Sequence, residues 1–550
     1  MSSCLRSLVL AAVLLAPLAA GAQGASPDSR ITAHEIDGDL RFLSSDLLEG
    51  RAPATRGGQL ASRYIASQLR SAGVQPGVHG SFLQEVPIDV VSADPRTIHV
   101  NASGRATASL HFPDQVVVWA GSAVPSSVAH GELVFVGYGI RAPEYHWDDF
   151  KGEDLKGKVL LVLVNDPPAS ASEPMLFGGK AMTYYGRWTY KFEEAERLGA
   201  AGMLIIHTTE RAGYPWHTVV GSWAREQRML PRSGALPAPL GVEGWITDSA
   251  AKALLRQAGL DLDVLTLQAA SRNFHPVHTG ITVDARFTNS VAHLHSVNVV
   301  GVVPGRDPVL RDQYVAFTAH WDHLGIGPAV NGDSIYNGAS DNASGVADML
   351  AIARAAAAAP APRRSLAFIF VTAEESGLLG SEYFAEHPTV PIGRLIADLN
   401  VDGGNVLGPV RNLSVLGAER SSLGRTLRQM IEKQGMRISP QAHPEQGHFY
   451  RSDHFSFAKA GVPAVSIGAG NDYVGRPSGW GAEQTADYTA QRYHQPSDEY
   501  RADFDLRGAV QLADIVLRFG TLLANEPDVP TWNAGSEFKA ARAKTEALLP

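Results

Sequence analysis

The chain has 550 residues, 45% hydrophobic and 19% charged, a globular usage that excludes a chain disordered overall. Lysines and arginines number 47 against 56 acidic residues, a net charge of −9. With no basic run, this argues against nucleic acid as a partner.

Residues 1–22 read as an export signal. Arg6 gives a positive start, Leu8 to Leu18 a short apolar run, and Ala20-Gly21-Ala22 a small-residue cleavage site. The run is shorter than the ~20 residues of a membrane span, and no other stretch qualifies. The expectation is a periplasmic or secreted protein with no membrane span. Cys4 is the one cysteine, so a chain processed near Gln23 has no disulfide, thiolate metal site or cysteine nucleophile.

Residues 30–76 read as helices, with Leu60, Tyr64, Ile65 and Leu69 on one face and Gly73 as the stop. Short strands follow from about 80. A β-rich unit is expected over 125–270, with strands at 132–136, 158–164 and 202–206 and a helix at 190–198. Its aromatic segment Tyr184 to Tyr190 suits a lid or the unit's own core. From 271 to 525 strands alternate with helices, which predicts an α/β fold with a mostly parallel mixed sheet flanked by helices. Strands are expected at 314–319, 366–372, 395–401 and 464–467, and helices at 345–359, 423–434 and 509–524. Residues 23–124 lead into the β-rich unit, and 526–550 form a tail with one short helix.

Two motifs mislead. Gly152 to Val159 nearly matches a phosphate-binding loop, but Val159 lacks the hydroxyl and the segment opens a strand, not a helix. Gly137-Tyr-Gly139 follows a strand like a dinucleotide fingerprint, but Pro143 and the polar run after it make no amphipathic helix.

The chemistry gathers at strand ends. His320 follows one strand, Glu374 and Glu375 another, and Asp402 a third. Ligands of open α/β sheets bind at that carboxyl edge. Asp341 precedes a helix, where Asp341, Asn342 or Ser344 could each serve as N-cap. His494, taken alone, reads as an ordinary loop histidine. Imidazole and carboxylate donors without thiolate suit zinc, cobalt or manganese. One carboxylate bridging two ions is the arrangement of dinuclear hydrolases, and the adjacent Glu374 and Glu375 can supply one base and one ligand. Asp322 can accept the second N–H of His320.

The set Ala319-His-Trp-Asp-His-Leu-Gly325, Gly338-Ala-Ser-Asp-Asn-Ala-Ser-Gly345, Thr372-Ala-Glu-Glu-Ser-Gly377, Asn400-Val-Asp402, Ser452-Asp-His454 and His494 resembles the M28 family of zinc peptidases. The segment Leu43 to Arg51 resembles the start of such enzymes, and the 125–270 unit resembles an inserted protease-associated domain. The resemblance implies a zinc-peptidase fold and two zinc ions, with cobalt or manganese as substitutes. Asp341 would bridge, His320 and Asp402 would complete one site, and Glu375 and His494 the other. Glu374 would be the general base, Asp322 would orient His320, and Tyr450 would hydrogen-bond the oxyanion. His323, His448 and His454 would be structural or pocket residues. Gly403-Gly404 departs from the family, which more often has a larger apolar residue there. The implied activity is an aminopeptidase acting on peptides. The alternatives are a carboxypeptidase or dipeptidase of the same fold, a single-zinc glutaminyl cyclase, which the inserted unit disfavours, and an inactive receptor-like protein, which the intact ligand set disfavours. No Gly-x-Ser-x-Gly elbow supports a serine hydrolase. The motifs leave the preferred terminal residue and the oligomeric state open.

Overall fold

Apolar runs long enough to be buried on both faces make the centre of the molecule a parallel sheet. The structure, a computed structural model, describes residues 30–232 and 237–547. The expected export signal lies outside them. Four parallel strands, Ser365–Val371, Tyr314–His320, Leu395–Asn400 and Ala464–Ala469, lie side by side in that spatial order. Antiparallel neighbours flank them: the end of Val277–Val303 on one side and Asn412–Leu416 on the other. The result is a mostly parallel mixed sheet with helices on both faces.

Side chains alternate across this sheet. Val315, Phe317 and Ala319, with Phe368 and Phe370, enter the core beneath the helices Ala33–Leu43, Ser344–Ala357 and Arg507–Asn525. Ala316, Ala367, Ile369 and Val371 enter the opposite core with Phe384, Phe457, Trp532 and Phe538. The alanine-rich helix Ser344–Ala357 is buried on nearly every side, which its small residues permit. The segment after 526 is part of this packing. The Trp532 indole N–H donates to the Gly461 carbonyl at 2.8 Å, and Lys539–Ala547 forms the short helix.

The 27-residue strand Val277–Val303 is a spine shared by two sheets. Its C-terminal end pairs with Ser365–Val371, its middle with Leu83–Ala93, and its start with His99–Ser103 and Ser126–Phe135. The second sheet continues in parallel through Val159–Leu163, Gly202–His207 and Val242–Thr247, and Val116–Trp119 closes it. The β-rich unit is therefore wider than residues 125–270. Strands from His99 onward and the spine as far as Thr288 belong to its ladders, because the backbone groups of those edges are paired nowhere else. The two misleading glycine motifs sit at turns: Gly137 and Gly139 have φ of 60° and 62°, and the strand Val159–Leu163 follows the second motif.

Two networks dock the β-rich unit on the main sheet. Lys459 pairs with Glu193 at 2.7 Å and with Glu382 at 3.7 Å, and Tyr184 packs on Phe455 with ring centroids 5.1 Å apart. Arg420 pairs with Glu537 at 2.8 Å and donates to the Tyr450 hydroxyl, whose proton is shared between Glu537 at 3.0 Å and the Met182 carbonyl at 3.2 Å. The aromatic segment beginning at Tyr184 is thus packing at a junction. Among the described residues no helix is long and apolar enough to cross a membrane.

One contact tests this core. A Cβ on Gly520 would lie 2.2 Å from Phe317 Cζ, and Phe317 is fully buried and stacked on Phe368 at 5.0 Å. Alanine gains about 1 kcal/mol in helix propensity. The ring cannot move aside, so the clash dominates. Gly520→Ala is expected to lower stability by roughly 1–3 kcal/mol, read as a lower denaturation midpoint.

Candidate metal centre

Each donor is delivered by the end of an element. His320 is the last residue of its strand. Its Nδ1–H donates to the Asp322 carbonyl at 3.2 Å, which leaves the Nε2 lone pair facing the acids. Asp402 follows Leu395–Asn400, and its Oδ1 lies 3.2 Å from His320 Nε2. Asp341 does not cap the helix behind it. Asn342 takes that role, its Oδ1 accepting from the backbone N–H of Gly345 and of Gly403, so the Asp341 carboxylate is left to the site. One oxygen of Asp341 lies 3.3 Å from His320 Nε2 and the other 3.2 Å from His494 Nε2. His494 Nε2 is also 3.1 Å from Glu375 Oε2.

Two sets of donors thus share one carboxylate: His320, Asp402 and Asp341, then His494, Glu375 and Asp341. Donors about 2.0–2.2 Å from a tetrahedral ion stand about 3.3–3.6 Å from each other, close to the 3.1–3.3 Å separations found. Ligand atoms of His320, Asp341 and Glu375 also lie within 4.8 Å of one another. This hard, thiolate-free set fits zinc or a similar divalent cation.

The two adjacent glutamates occupy opposite environments. Ala373 turns the chain before them with φ of 55°, a left-handed conformation tolerated where the surroundings hold it. Glu375 accepts from His323 Nδ1–H at 2.6 Å. Burial and Asp341 press its carboxyl upward, but His323 and His494 outweigh them and hold it at about 2. Glu374 has no such partner. Burial, then Glu375 and Asp402, push it well above the usual carboxylate range against the pull of His320. Neighbouring carboxyls driven apart in this way are suited to one permanent anion and one group that exchanges protons. For His494, burial pulls the imidazole down, but its contacts with Asp341 and Glu375 raise it to about 10. Tyr493 stacks on its ring at 3.9 Å.

Asp322 serves a different partner from the one its spacing suggests. Its Oδ1 accepts from the Glu374 backbone N–H at 3.1 Å, whereas His320 Nδ1 is 3.9 Å away. The orientation of His320 comes from the Asp322 carbonyl instead. Tyr450 is not brought to the site. Its hydroxyl is buried and committed to Arg420, Glu537 and the Met182 carbonyl, so an oxyanion role is ruled out by prior hydrogen bonding. His454 is buried against Phe449, and burial lowers it to about 4. His323 is the partner of Glu375.

Sequence reasoning passed over two supports. The Asp498 carboxylate accepts from the backbone N–H groups of Ser340 and Asp341, each at 3.1 Å. Arg51 is fully buried and donates to the carbonyls of Trp321, Gly338 and Asp341. Burial lowers its guanidinium to about 10 although Asp341 and Asp322 pull upward. The signal for Arg51 was present in the segment ending there. A cavity of about 480 Å³ opens on the site, lined among others by Asp341, Glu374, Asp402, Gly403, Arg451 and Phe504.

Residues 298–520 match the model of Peptidase family M28. Over 233 residues the chain is 27% identical to "probable leucine aminopeptidase 2" of Aspergillus oryzae, covering 40% of this chain and 43% of that protein. Over 101 residues it is 34% identical to "Aminopeptidase YwaD" of Bacillus subtilis, covering 18% of this chain and 19% of that protein. The matches therefore span less than half the length of these relatives. Among solved structures, an aminopeptidase from Aneurinibacillus sp. strain AM-1 is 20% identical, with a TM-score of 0.47 over 91% of this chain and 95% of that one. BSAP, a zinc aminopeptidase from Bacillus subtilis, is 19% identical, with a TM-score of 0.41 over 93% and 100%.

Two outcomes follow from the geometry. Asp341→Asn is expected to lose more divalent metal than Asp402→Asn in an equilibrium chelator competition, because both Asp341 oxygens face donors and one of Asp402 does. Tyr450→Phe is expected to leave turnover nearly unchanged while lowering stability by about 1 kcal/mol, the net worth of a buried hydrogen bond. Steady-state kinetics and thermal unfolding check both halves.

Proposed function

We propose that this chain, whose residues 298–520 belong to peptidase family M28, is an exported dinuclear zinc aminopeptidase that removes N-terminal residues from peptides. The observation that carries the proposal is the pair of donor sets sharing Asp341. The names of the matched relatives, both aminopeptidases, favour the N-terminal end of the substrate, and the motif at residues 1–22 favours export. The β-rich unit is read as a protease-associated-type domain.

His320, Asp341 and Asp402 would hold one ion, and Asp341, Glu375 and His494 the other. Zinc there would polarise the scissile carbonyl and acidify a water molecule. The chain's own contribution is proton handling and position. Glu374, held by Asp322 through its backbone N–H, takes the proton of the attacking water on its carboxylate. It then gives that proton to the leaving amine nitrogen as the C–N bond breaks. A carboxyl raised by burial holds a proton long enough to pass it on. Glu375, held anionic by His323 and His494, stays a ligand throughout.

The two glutamates provide the test. Glu374→Gln keeps its volume but accepts no proton, so the rate should fall by about 10²–10⁴ with metal content unchanged. Glu375→Gln should bind metal more weakly and recover in part with excess zinc. Metal-replete wild type should approach two equivalents of zinc by elemental analysis. Saturation at one equivalent, or rescue of Glu374→Gln by zinc, overturns the assignment.

A further inference from the structure

One wall of the cavity that opens on the metal centre is built almost without side chains. Asp402 is followed by Gly403 and Gly404, and both line the cavity. Gly403 has φ of 93°, a conformation that glycine favours, and its N–H donates to Asn342 Oδ1 at 2.8 Å. The Gly404 N–H donates to Ser344 Oγ at 2.7 Å. A Cβ on Gly404 would stand 3.0 Å from Asp348 Oδ2 and from Ser344 Cβ. The segment therefore lies flat on the start of the helix Ser344–Ala357 and gives the cavity bare backbone.

A second wall comes from the antiparallel pair Asn412–Leu416 and Ala464–Ala469. Ser414 stands opposite Gly468, and Leu416 opposite Ser466, so the four share one face. All four line the cavity. Asn400 Nδ2 donates to Ser466 Oγ at 3.3 Å, which sets this wall beside the strand that delivers Asp402. A Cβ on Gly468 would meet nothing within 4 Å, and the residue is outside the left-handed region. Tyr473 and Val406 line the cavity while almost fully buried, so the recess is closed beneath. No side chain of 403–407, 412–416 or 464–469 is charged. A neutral recess walled by backbone and small residues takes a bulky apolar group, because buried apolar area drives such binding. A planar ring suits it best, being thin enough to lie along peptide planes while carrying a large apolar area.

We propose that this recess takes the side chain of the substrate's N-terminal residue, and that Gly403, Gly404 and Gly468 make the enzyme prefer an aromatic one over leucine or alanine. The inference rests on the aminopeptidase reading above and names its substrate class. A recess closed beneath suits a chain end, because one residue alone precedes the scissile bond and the rest of the peptide needs a way out. Gly468 sets the size. A side chain there meets no neighbour and no backbone strain, so its whole volume is taken from the recess.

Calorimetric titration of zinc-loaded Glu374→Gln enzyme measures binding without turnover. The probes are Phe-Gly-Gly, Leu-Gly-Gly, Ala-Gly-Gly and Ala-Phe-Gly. Phe-Gly-Gly should bind about 30-fold or more tightly than Ala-Gly-Gly and about threefold more tightly than Leu-Gly-Gly, following the apolar area each buries. Adding Gly468→Val should lower the phenylalanine-to-alanine ratio by about tenfold, as overpacking does. The ratio is read within one preparation, so a partly folded fraction cancels. Ser414→Leu fills the same face from the neighbouring strand and should lower the ratio too, which keeps the test open should Gly468→Val fail to fold. Leucine bound as tightly as phenylalanine overturns the proposal. So does Ala-Phe-Gly bound as tightly as Phe-Gly-Gly, or a ratio unchanged in either variant. Hydrolysis of phenylalanyl, leucyl and alanyl p-nitroanilides by the wild type is scored separately. Turnover without aromatic preference defeats this proposal alone, and aromatic preference in binding without turnover of any free-amine substrate defeats the aminopeptidase reading alone.

Discussion

Buried carboxylates repel one another, and this protein gathers Asp341, Glu374, Glu375, Asp402, Asp322 and Asp453 in one place with the imidazoles of His320, His323 and His494. Such a cluster is stable only with positive charge among it. Arg51, a fixed cation buried beside them, spends its donors on backbone carbonyls, and the histidines supply the rest. A divalent cation between the donor sets answers the same demand more completely. The need for compensation explains why so much of the surrounding structure serves the backbone beneath the acids. Asp498 holds the backbone amides of Ser340 and Asp341, Asn342 ties the helix start to Gly403, and Asp322 holds the amide of Glu374.

The same constraint sorts two chemically identical neighbours. Glu375 has two imidazoles against it and Glu374 has none as close. Position along the chain separates them by one residue, and a left-handed turn at Ala373 leaves them in different surroundings. Their opposite titration follows from those surroundings.

The β-rich unit is more than an appendage. Its spine strand is also a strand of the main sheet, and the ion pair of Lys459 with Glu193 and the contact of Arg420 and Tyr450 with the Met182 carbonyl fasten it at two further points.

Much of this was legible in the chain alone. Apolar runs such as Leu366 to Val371 marked the buried parallel strands, because a strand covered on both faces needs no polar alternation. The acids and histidines stood out because they follow those runs, at the edge where α/β sheets bind ligands. Local pattern ended there. Whether Asp341 capped a helix or faced the site depended on Asn342 taking the cap, a choice between adjacent residues of similar propensity. Tyr450 looked available until Glu537, 87 residues later, came to meet it. The second sheet began at His99 because the partner of that strand lies near residue 285. Composition and spacing determine which elements form and which residues can bind metal. Only the folded chain decides which of those residues are already engaged, because hydrogen bonds and burial between distant segments leave no trace in the local sequence.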